Sequence, residues 1–337
     1  GNIGIGQNAA GANTTGAGNV AIGQNVFDAN TTGANNVAIG RDSMSANTTA
    51  NNNTAVGYAS LMGNTTGYSN VAVGKGALEA NTTAYNNVAV GMNAADAITT
   101  GYSNTAIGYN AMGAMTTGGD NVAIGDGCLQ TANSSSCSQN TFVGRNCASA
   151  AVANTGNTAM GYSAYSSGTG GINNTSIGRQ AGDVITTGGN NLSIGYLADP
   201  SGATASNEVT LGNSSISSIR CQVQTISSLS DARDKQNIEE LPLGVEFINT
   251  LRPVKFDWAM RDGANKGVQE VGFLAQELDK AQQDADAEEY MRLVLKSNPD
   301  KLESTYGKLV PILTKAVQEL SAEVEELKKK AHDKCSN

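Results

Sequence analysis

A five-residue pattern that ends in glycine returns along the first two thirds of the chain at a nearly constant interval. It reads NVAIG at its clearest, and eleven of the twelve intervals between its glycines are 17 residues long, while one is 19. A repeat this small cannot bury its own apolar face, so neighbouring repeats must stack. The thirteen glycines are Gly6, Gly23, Gly40, Gly57, Gly74, Gly91, Gly108, Gly125, Gly144, Gly161, Gly178, Gly195 and Gly212.

The pentad itself predicts a β-strand. The residues three and one before each glycine are mostly β-branched, and the residue between them is usually Ala, which is the period-two alternation of a strand. An apolar residue often follows four positions after the glycine, and an Asn-Thr-Thr-Gly turn comes next. We therefore expect a mainly β fold, a parallel β-roll or solenoid of 17-residue coils over residues 1–212, each coil with two short strands and two turns.

Two columns of small or polar residues accompany the pentads. Asn stands four residues before twelve of the thirteen glycines, with Glu208 at the remaining position. Identical amides can hydrogen-bond along a stack as a ladder, and Asn also tolerates turn geometry; the two interpretations are compatible. The small residue inside each pentad, such as Ala72 or Ala89, leaves a flat strip that we expect to pack against other copies of the chain.

The charge density changes sharply near residue 229. Residues 1–229 hold 5 basic and 9 acidic residues, whereas residues 230–337 hold 16 and 21, which predicts a repeat shaft over 1–212, a connector over 213–229 and a separate domain over 230–337. The net charge of −9 offers no basic footprint for nucleic acid, and no run approaches the ~20 apolar residues of a membrane span. The single His332 gives little material for His-based chemistry, so no cofactor or metal is expected. The five cysteines are too few for a disulfide scaffold and fit small buried thiols better.

The end of the chain carries an apolar heptad seam within a helical pattern. The seam is typical of a coiled coil, in which Glu323 and Lys328 are placed to pair across chains. An amphipathic helix that lies on its own domain is an equal alternative. The seam residues are Val310, Leu313, Val317, Leu320, Val324 and Leu327.

Both parts of the chain resemble known families. The NVAIG-type pentads resemble the head β-rolls of trimeric autotransporter adhesins and the Gly-rich shafts of viral fibres, which implies a parallel homotrimer. The segments SDARDKQNI (230–238), LRPVKFDW (251–258), GFLAQEL (272–278) and the terminal LVPILTKAVQEL helix resemble, in the same order, the C-terminal intramolecular chaperone of phage tailspikes and tail fibres, first recognised in endosialidase tailspikes. This second resemblance implies a small α/β domain that drives trimer folding and then cuts itself off.

The same resemblance assigns candidate catalytic residues. The family's nucleophile falls on Ser230 and its base on Lys235, with the scissile bond between Ser230 and Asp231; Asp231 and Arg233 match the motif as positioning groups. A serine hydroxyl needs a base to take its proton, and lysine serves when burial favours its neutral form. From spacing alone, a helix N-cap at Ser230-Asp231 and a solvated surface charge at Lys235 are the simpler interpretation.

The expected function is a structural tail fibre or receptor-binding appendage of a virion, located outside the cell, that performs one self-cleavage as a serine endopeptidase and has no external substrate. Because the chain begins within a repeat, we expect it to be a fragment. Two alternatives are a cell-surface or secreted trimeric adhesin and the shaft of a glycan-degrading tailspike whose catalytic domain lies elsewhere. The expected partners are two further copies of the chain, with a host-cell receptor or glycan left open.

Overall fold

The computed structural model describes residues 1–132, 137–220, 222, 230–259, 266–300 and 302–335. They belong to two compact units, the solenoid unit Gly1–Asn213 and the C-terminal unit Ser214–Asn337. The predicted connector 213–229 lies partly outside the described residues.

Every pentad forms one three-residue strand of a thirteen-stranded parallel sheet that follows chain order. Successive strands pair at equivalent pentad positions, so Val71 lies beside Val88, and Val88 beside Thr105. The predicted parallel solenoid of 17-residue coils is thereby confirmed. The strands are β1 (Ile3–Ile5), β2 (Val20–Ile22), β3 (Val37–Ile39), β4 (Thr54–Val56), β5 (Val71–Val73), β6 (Val88–Val90), β7 (Thr105–Ile107), β8 (Val122–Ile124), β9 (Thr141–Val143), β10 (Thr158–Met160), β11 (Thr175–Ile177), β12 (Leu192–Ile194) and β13 (Val209–Leu211).

Each described coil has one strand, not the two that the sequence predicted. The opposite side of the coil is a turn in which residues two and four after the glycine adopt left-handed backbone, for example Asn93 at φ 54° and Leu78 at φ 51°. Residues in this region cannot extend a strand. Backbone hydrogen bonds still join the coils on this side, because the Leu78 N–H donates to the carbonyl of Ala94 at 3.0 Å.

The Asn column forms the predicted ladder through the solenoid interior. The Asn87 N–H donates to Oδ1 of Asn70 at 3.0 Å, and its Nδ2 donates to the carbonyl of Gly101 at 2.9 Å. Its own Oδ1 accepts from the N–H of Asn104 at 2.9 Å. Each buried side-chain amide thus satisfies backbone groups of the next coil, and its own backbone N–H is satisfied by the amide of the preceding one.

The middle residue of the pentad does not form an outer strip, and that prediction is wrong. Ala72 and Ala89 are fully buried inside their own coils, against the solenoid core. Side chains alternate along a strand, so the residues on either side of the alanine face outward, and Val73 is 36% exposed. A bulky residue at position 72 or 89 would therefore disrupt the coil itself.

The glycine that closes each pentad permits close stacking. Gly91 has φ 136°, and a Cβ added to it would lie 2.5 Å from the carbonyl oxygen of Gly108. Both the backbone conformation and the contact exclude a side chain at this position.

Three cysteines contribute to the solenoid core. Cys128, Cys137 and Cys147 are buried and unbridged, in agreement with the interpretation as small apolar side chains. Burial raises the pKa of the Cys137 thiol to about 11.

The C-terminal unit is a small α/β arrangement whose core includes Phe247, Leu278, Met291 and Ile312. A long-range contact fixes its first helix, because the carboxylate of Glu319 accepts from the N–H of Val245 at 2.8 Å. The antiparallel pairs are β14 with β15 and β16 with β17. The elements are α1 (Val245–Thr250), β14 (Val254–Asp257), β15 (Gln269–Gly272), α2 (Ala275–Asp284), α3 (Glu288–Met291), β16 (Val294–Leu295), β17 (Glu303–Ser304) and α4 (Leu309–Cys335).

Helix α4 packs on its own unit only at its start. Leu309, Ile312 and Ala316 are buried there, whereas residues 320–334 are exposed throughout. All six seam residues are exposed, from 46% at Leu313 to 64% at Val317, so the seam does not lie on its own unit. Among the described helices, none combines the length and apolar character needed to span a lipid bilayer.

Candidate functional site

A tight turn opens the charged part of the C-terminal unit. Asp231 caps a short 3-10 helix, Ala232–Asp234, and its carboxylate accepts from the Arg233 N–H at 2.9 Å. The Lys235 N–H donates to the carbonyl of Ala232 at 3.2 Å and ends the turn. One turn therefore spans the four residues between Ser230 and Lys235 and brings their side chains to the same side.

The two predicted reactive side chains are in contact. Nζ of Lys235 lies 2.8 Å from Oγ of Ser230, and it also donates to the backbone carbonyl of Ser230 at 3.3 Å. Both residues are exposed to solvent in the single chain. The geometry can thus transfer a proton between the hydroxyl and the amine, but nothing in the described chain covers the pair.

Asp231 and Arg233 form a separate pair. Nε of Arg233 lies 3.0 Å from Oδ1 of Asp231, and Nη2 lies 2.6 Å from Oδ2. This charged hydrogen bonding holds the pKa of the Asp231 carboxyl below its usual range. Among the described contacts, neither residue bonds to the Ser230 or Lys235 side chain, so their observed contacts shape the turn.

Along the chain, a parallel β-solenoid is followed by a small α/β unit that contains the serine–lysine contact. Residues 230–287 match the model of the peptidase family described as chaperone of endosialidase, and the match begins at Ser230. Residues 230–287 are therefore similar to a chaperone-of-endosialidase domain, and this match together with the solenoid fits a tailspike or fibre with a C-terminal chaperone domain. No curated protein matches the chain.

Sequence reasoning missed a second arrangement, on the solenoid. The residues directly after the pentad glycines form one exposed column, which we name the ridge, and it contains every Lys and Arg of residues 1–212. The signal was present in the sequence as a fixed offset from each glycine, but its members are far apart along the chain. The ridge consists of Gln7, Gln24, Arg41, Tyr58, Lys75, Met92, Tyr109, Asp126, Arg145, Tyr162, Arg179 and Tyr196.

Proposed function

We propose that the protein is a homotrimeric phage tail fibre whose C-terminal unit drives assembly and then cuts the chain between Ser230 and Asp231. The observation that carries this proposal is the 2.8 Å contact between Lys235 Nζ and Ser230 Oγ, at the first residue of the chaperone-family match. The outcome is a fibre matured by a single turnover.

The contact supports the following sequence of proton transfers. Direct attack of Ser230 Oγ on the carbonyl of its own residue would close a strained four-membered ring, so the hydroxyl acts on a water. Lys235 in its neutral form takes a proton through the Ser230 hydroxyl as this water attacks the carbonyl carbon of Ser230. The resulting ammonium is already placed near the carbonyl oxygen of Ser230, 3.3 Å away, and stabilises the negative charge that develops there. Its proton then passes to the nitrogen of Asp231, which leaves as an amine, and Ser230 keeps the new carboxylate.

Assembly buries the Ser230–Lys235 pair, as this chemistry requires. A lysine becomes a useful base when burial disfavours its charged form, and in the single chain both side chains of the dyad are exposed. We infer that neighbouring copies cover the turn in the trimer. Cleavage then follows assembly and does not precede it.

Exposed apolar surface on the C-terminal unit supports the proposal that two further copies of the chain bind there. The seam of α4 is exposed along its length. Beside its start lies an apolar pocket of about 310 Å³, lined by Ile248, Leu251, Pro253, Phe273, Tyr306, Leu309 and Leu313. A seam with heptad spacing fits the same seam of another copy.

The solenoid unit also supports the proposal that copies of the chain bind one another. The first and third residues of all thirteen strands are Ile, Val, Leu, Met or Thr, and none is charged. Their outward column extends over about 60 Å at ~4.8 Å per coil. A partner must repeat at the same spacing to match it, and another copy of the chain does so.

Cleavage after assembly has a physical purpose in such a fibre. Coils this similar allow errors of register between chains, and contacts between chains form slowly because they are non-local. A trimerising unit with unique contacts sets the register at one end. Its removal leaves a fibre that persists because unfolding is slow.

Denaturing electrophoresis of the expressed chain tests the proposal. Wild type should release the fragment 231–337, whereas Ser230→Ala and Lys235→Ala should give folded, uncut trimers. Lys308→Ala, which removes another exposed lysine of the same unit, should be cut normally. An uncut wild type that forms stable trimers would refute self-processing and leave the assembly role intact.

A second candidate function, attachment to a host-cell glycan, is favoured by the ridge. Its four tyrosines, Tyr58, Tyr109, Tyr162 and Tyr196, are 43–49% exposed. Retained binding of cell-surface glycan by wild-type fibre, lost in ridge variants, would test it.

A further inference from the structure

The cations of the ridge follow an alternating pattern along the solenoid. Arg41 and Lys75 are two coils apart, Arg145 and Arg179 are two coils apart, and four coils separate Lys75 from Arg145. At about 4.8 Å per coil, the cations recur every ~9.6 Å or at twice that distance. Tyr109 occupies the middle of the wide gap. All four cations therefore belong to one set of alternate coils.

These cations are available to a ligand. Arg41 pairs with Asp42 at 3.3 Å and Arg145 with Asp126 at 3.5 Å, and the two arginine side chains are 56% and 65% exposed. Such exposed pairs contribute little to stability, so a ligand carboxylate can replace them. Among the described residues, neither Lys75 nor Arg179 forms an ion pair.

Aromatic rings lie between the cations. The guanidinium of Arg41 lies 4.6 Å from the ring centroid of Tyr58, and that of Arg179 lies 5.2 Å from Tyr196 and 5.9 Å from Tyr162. These contacts hold the long arginine side chains along the ridge. The exposed parts of the rings offer apolar surface next to a hydroxyl.

We propose that the ridge binds a linear acidic polysaccharide whose carboxylates recur at about every second sugar. The proposal deepens the glycan-attachment candidate and rests on it. Pyranose rings present apolar C–H faces to tyrosines, and their carboxylates pair with the cations. Two sugars of an extended chain span a length similar to two coils of the solenoid.

The charge of the solenoid disfavours denser polyanions. Residues 1–212 hold four basic and nine acidic residues. Asp126 is itself part of the ridge, Asp42 directly follows Arg41, and Glu79 is four residues after Lys75. A nucleic acid, with a phosphate at every nucleotide, would meet these carboxylates between the cations. A sparsely charged polymer can place its carboxylates beside the cations alone.

Calorimetric titration of the full chain with hyaluronan oligosaccharides tests the proposal, because hyaluronan carries one carboxylate on every second sugar. Binding should weaken as salt is added, and dextran oligosaccharides of equal length, which are neutral, should not bind. The double variant Lys75→Gln/Arg179→Gln should bind at least tenfold more weakly. The matched control Lys308→Gln/Lys329→Gln, with the same loss of charge at exposed positions of the C-terminal unit, should stay within twofold of wild type.

Three results would overturn the proposal. They are the absence of hyaluronan binding at low ionic strength, equal binding of dextran or polyglutamate, and loss of the native trimer in the ridge variant, which would make the ridge a contact between copies. Release of the fragment 231–337 is measured in the same samples and should continue in both variants. Failure of glycan binding is thereby distinguished from failure of self-processing.

Discussion

The two units of this chain achieve a defined structure in opposite ways. In the solenoid unit, each coil repeats the contacts of the last, through a column of buried amides and glycines that touch their neighbours. In the C-terminal unit, single contacts join distant segments, such as Glu319 with the N–H of Val245 and the Tyr306 hydroxyl with the N–H of Phe273.

This difference fits the proposed dependence of the solenoid on the C-terminal unit. A repeated contact stabilises any register in which it recurs, so it says little about which coil of one chain belongs beside which coil of another. A contact that occurs once specifies a single arrangement. The unit with unique contacts also carries the exposed helical seam, which fits the proposed role of setting chain number and register.

The largest effect should come from a side chain on the glycine column. Gly91→Ala places a Cβ 2.5 Å from the carbonyl oxygen of Gly108, at φ 136°, and should lower the free energy of unfolding of the solenoid by more than about 4 kcal/mol. Gly170→Ala is the control, because its Cβ would meet only Thr187 at 3.8 Å. Thermal unfolding followed by circular dichroism compares them, and equal midpoints would contradict the stacking argument.

A core truncation in the C-terminal unit should act on that unit alone. Leu278 is 1% exposed, and Leu278→Ala should lower the free energy of unfolding of this unit by about 3 kcal/mol. Leu327→Ala, at an exposed seam position, should leave the unit folded. Hydrogen exchange resolved by segment measures each unit, and destabilisation of preformed solenoid by the first variant would show that the units do not fold separately.

Breaking one rung of the amide ladder should have a moderate effect. Asn87→Ala leaves the carbonyl of Gly101 and the N–H of Asn104 without their partner, which should cost about 2 kcal/mol. Thr83→Ala, at an exposed turn position, should change the free energy of unfolding by less than about 0.5 kcal/mol. Urea unfolding of both variants provides the test, and a larger loss from the threonine change would contradict a structural role for the ladder.

The smallest expected effect is the pH dependence of stability that Asp199, near the end of the solenoid, contributes. Burial, with the neighbouring Asp183, raises the pKa of Asp199 to about 6. The folded state therefore holds this proton more tightly than the unfolded state, and stability decreases as pH rises from about 4 to 6. Asp199→Asn should remove this dependence and add about 1 kcal/mol at pH 7.5 after allowance for solvent screening. Unfolding midpoints at pH 5 and pH 7.5 check the sign, and a wild type more stable at pH 7.5 would reverse it.

The sequence predicted the parts of the fold that repeat. The constant interval and the Asn column define a parallel stack in register, and both are present. The predicted orientation of Ala72 was wrong. Alternation along a strand does not indicate which of its two faces lies inside when one face carries small residues and the other carries aliphatic residues. The prediction of a second strand in each coil was wrong because apolar residues such as Leu78 adopt left-handed backbone. Residue type alone does not indicate this conformation.

The candidate site was less accessible to sequence reasoning. Lys235 is five positions after Ser230, a spacing that many turns allow, so only the family motif indicated the pair. Their catalytic roles stay a prediction. The ridge escaped notice because its cations are at least 34 residues apart in the sequence and only the stacking of coils brings them into one column.

In the proposed function, the exposed seam of α4 drives assembly, and assembly permits cleavage. Native mass measurement and denaturing electrophoresis of Leu320→Asp test both steps in one sample. The matched control is Lys329→Asp, which places the same residue at an exposed position outside the seam of the same helix. We predict that the control gives a cut trimer and that Leu320→Asp gives an uncut chain without the trimeric mass. A Leu320→Asp chain that still forms trimers and releases 231–337 would contradict the account.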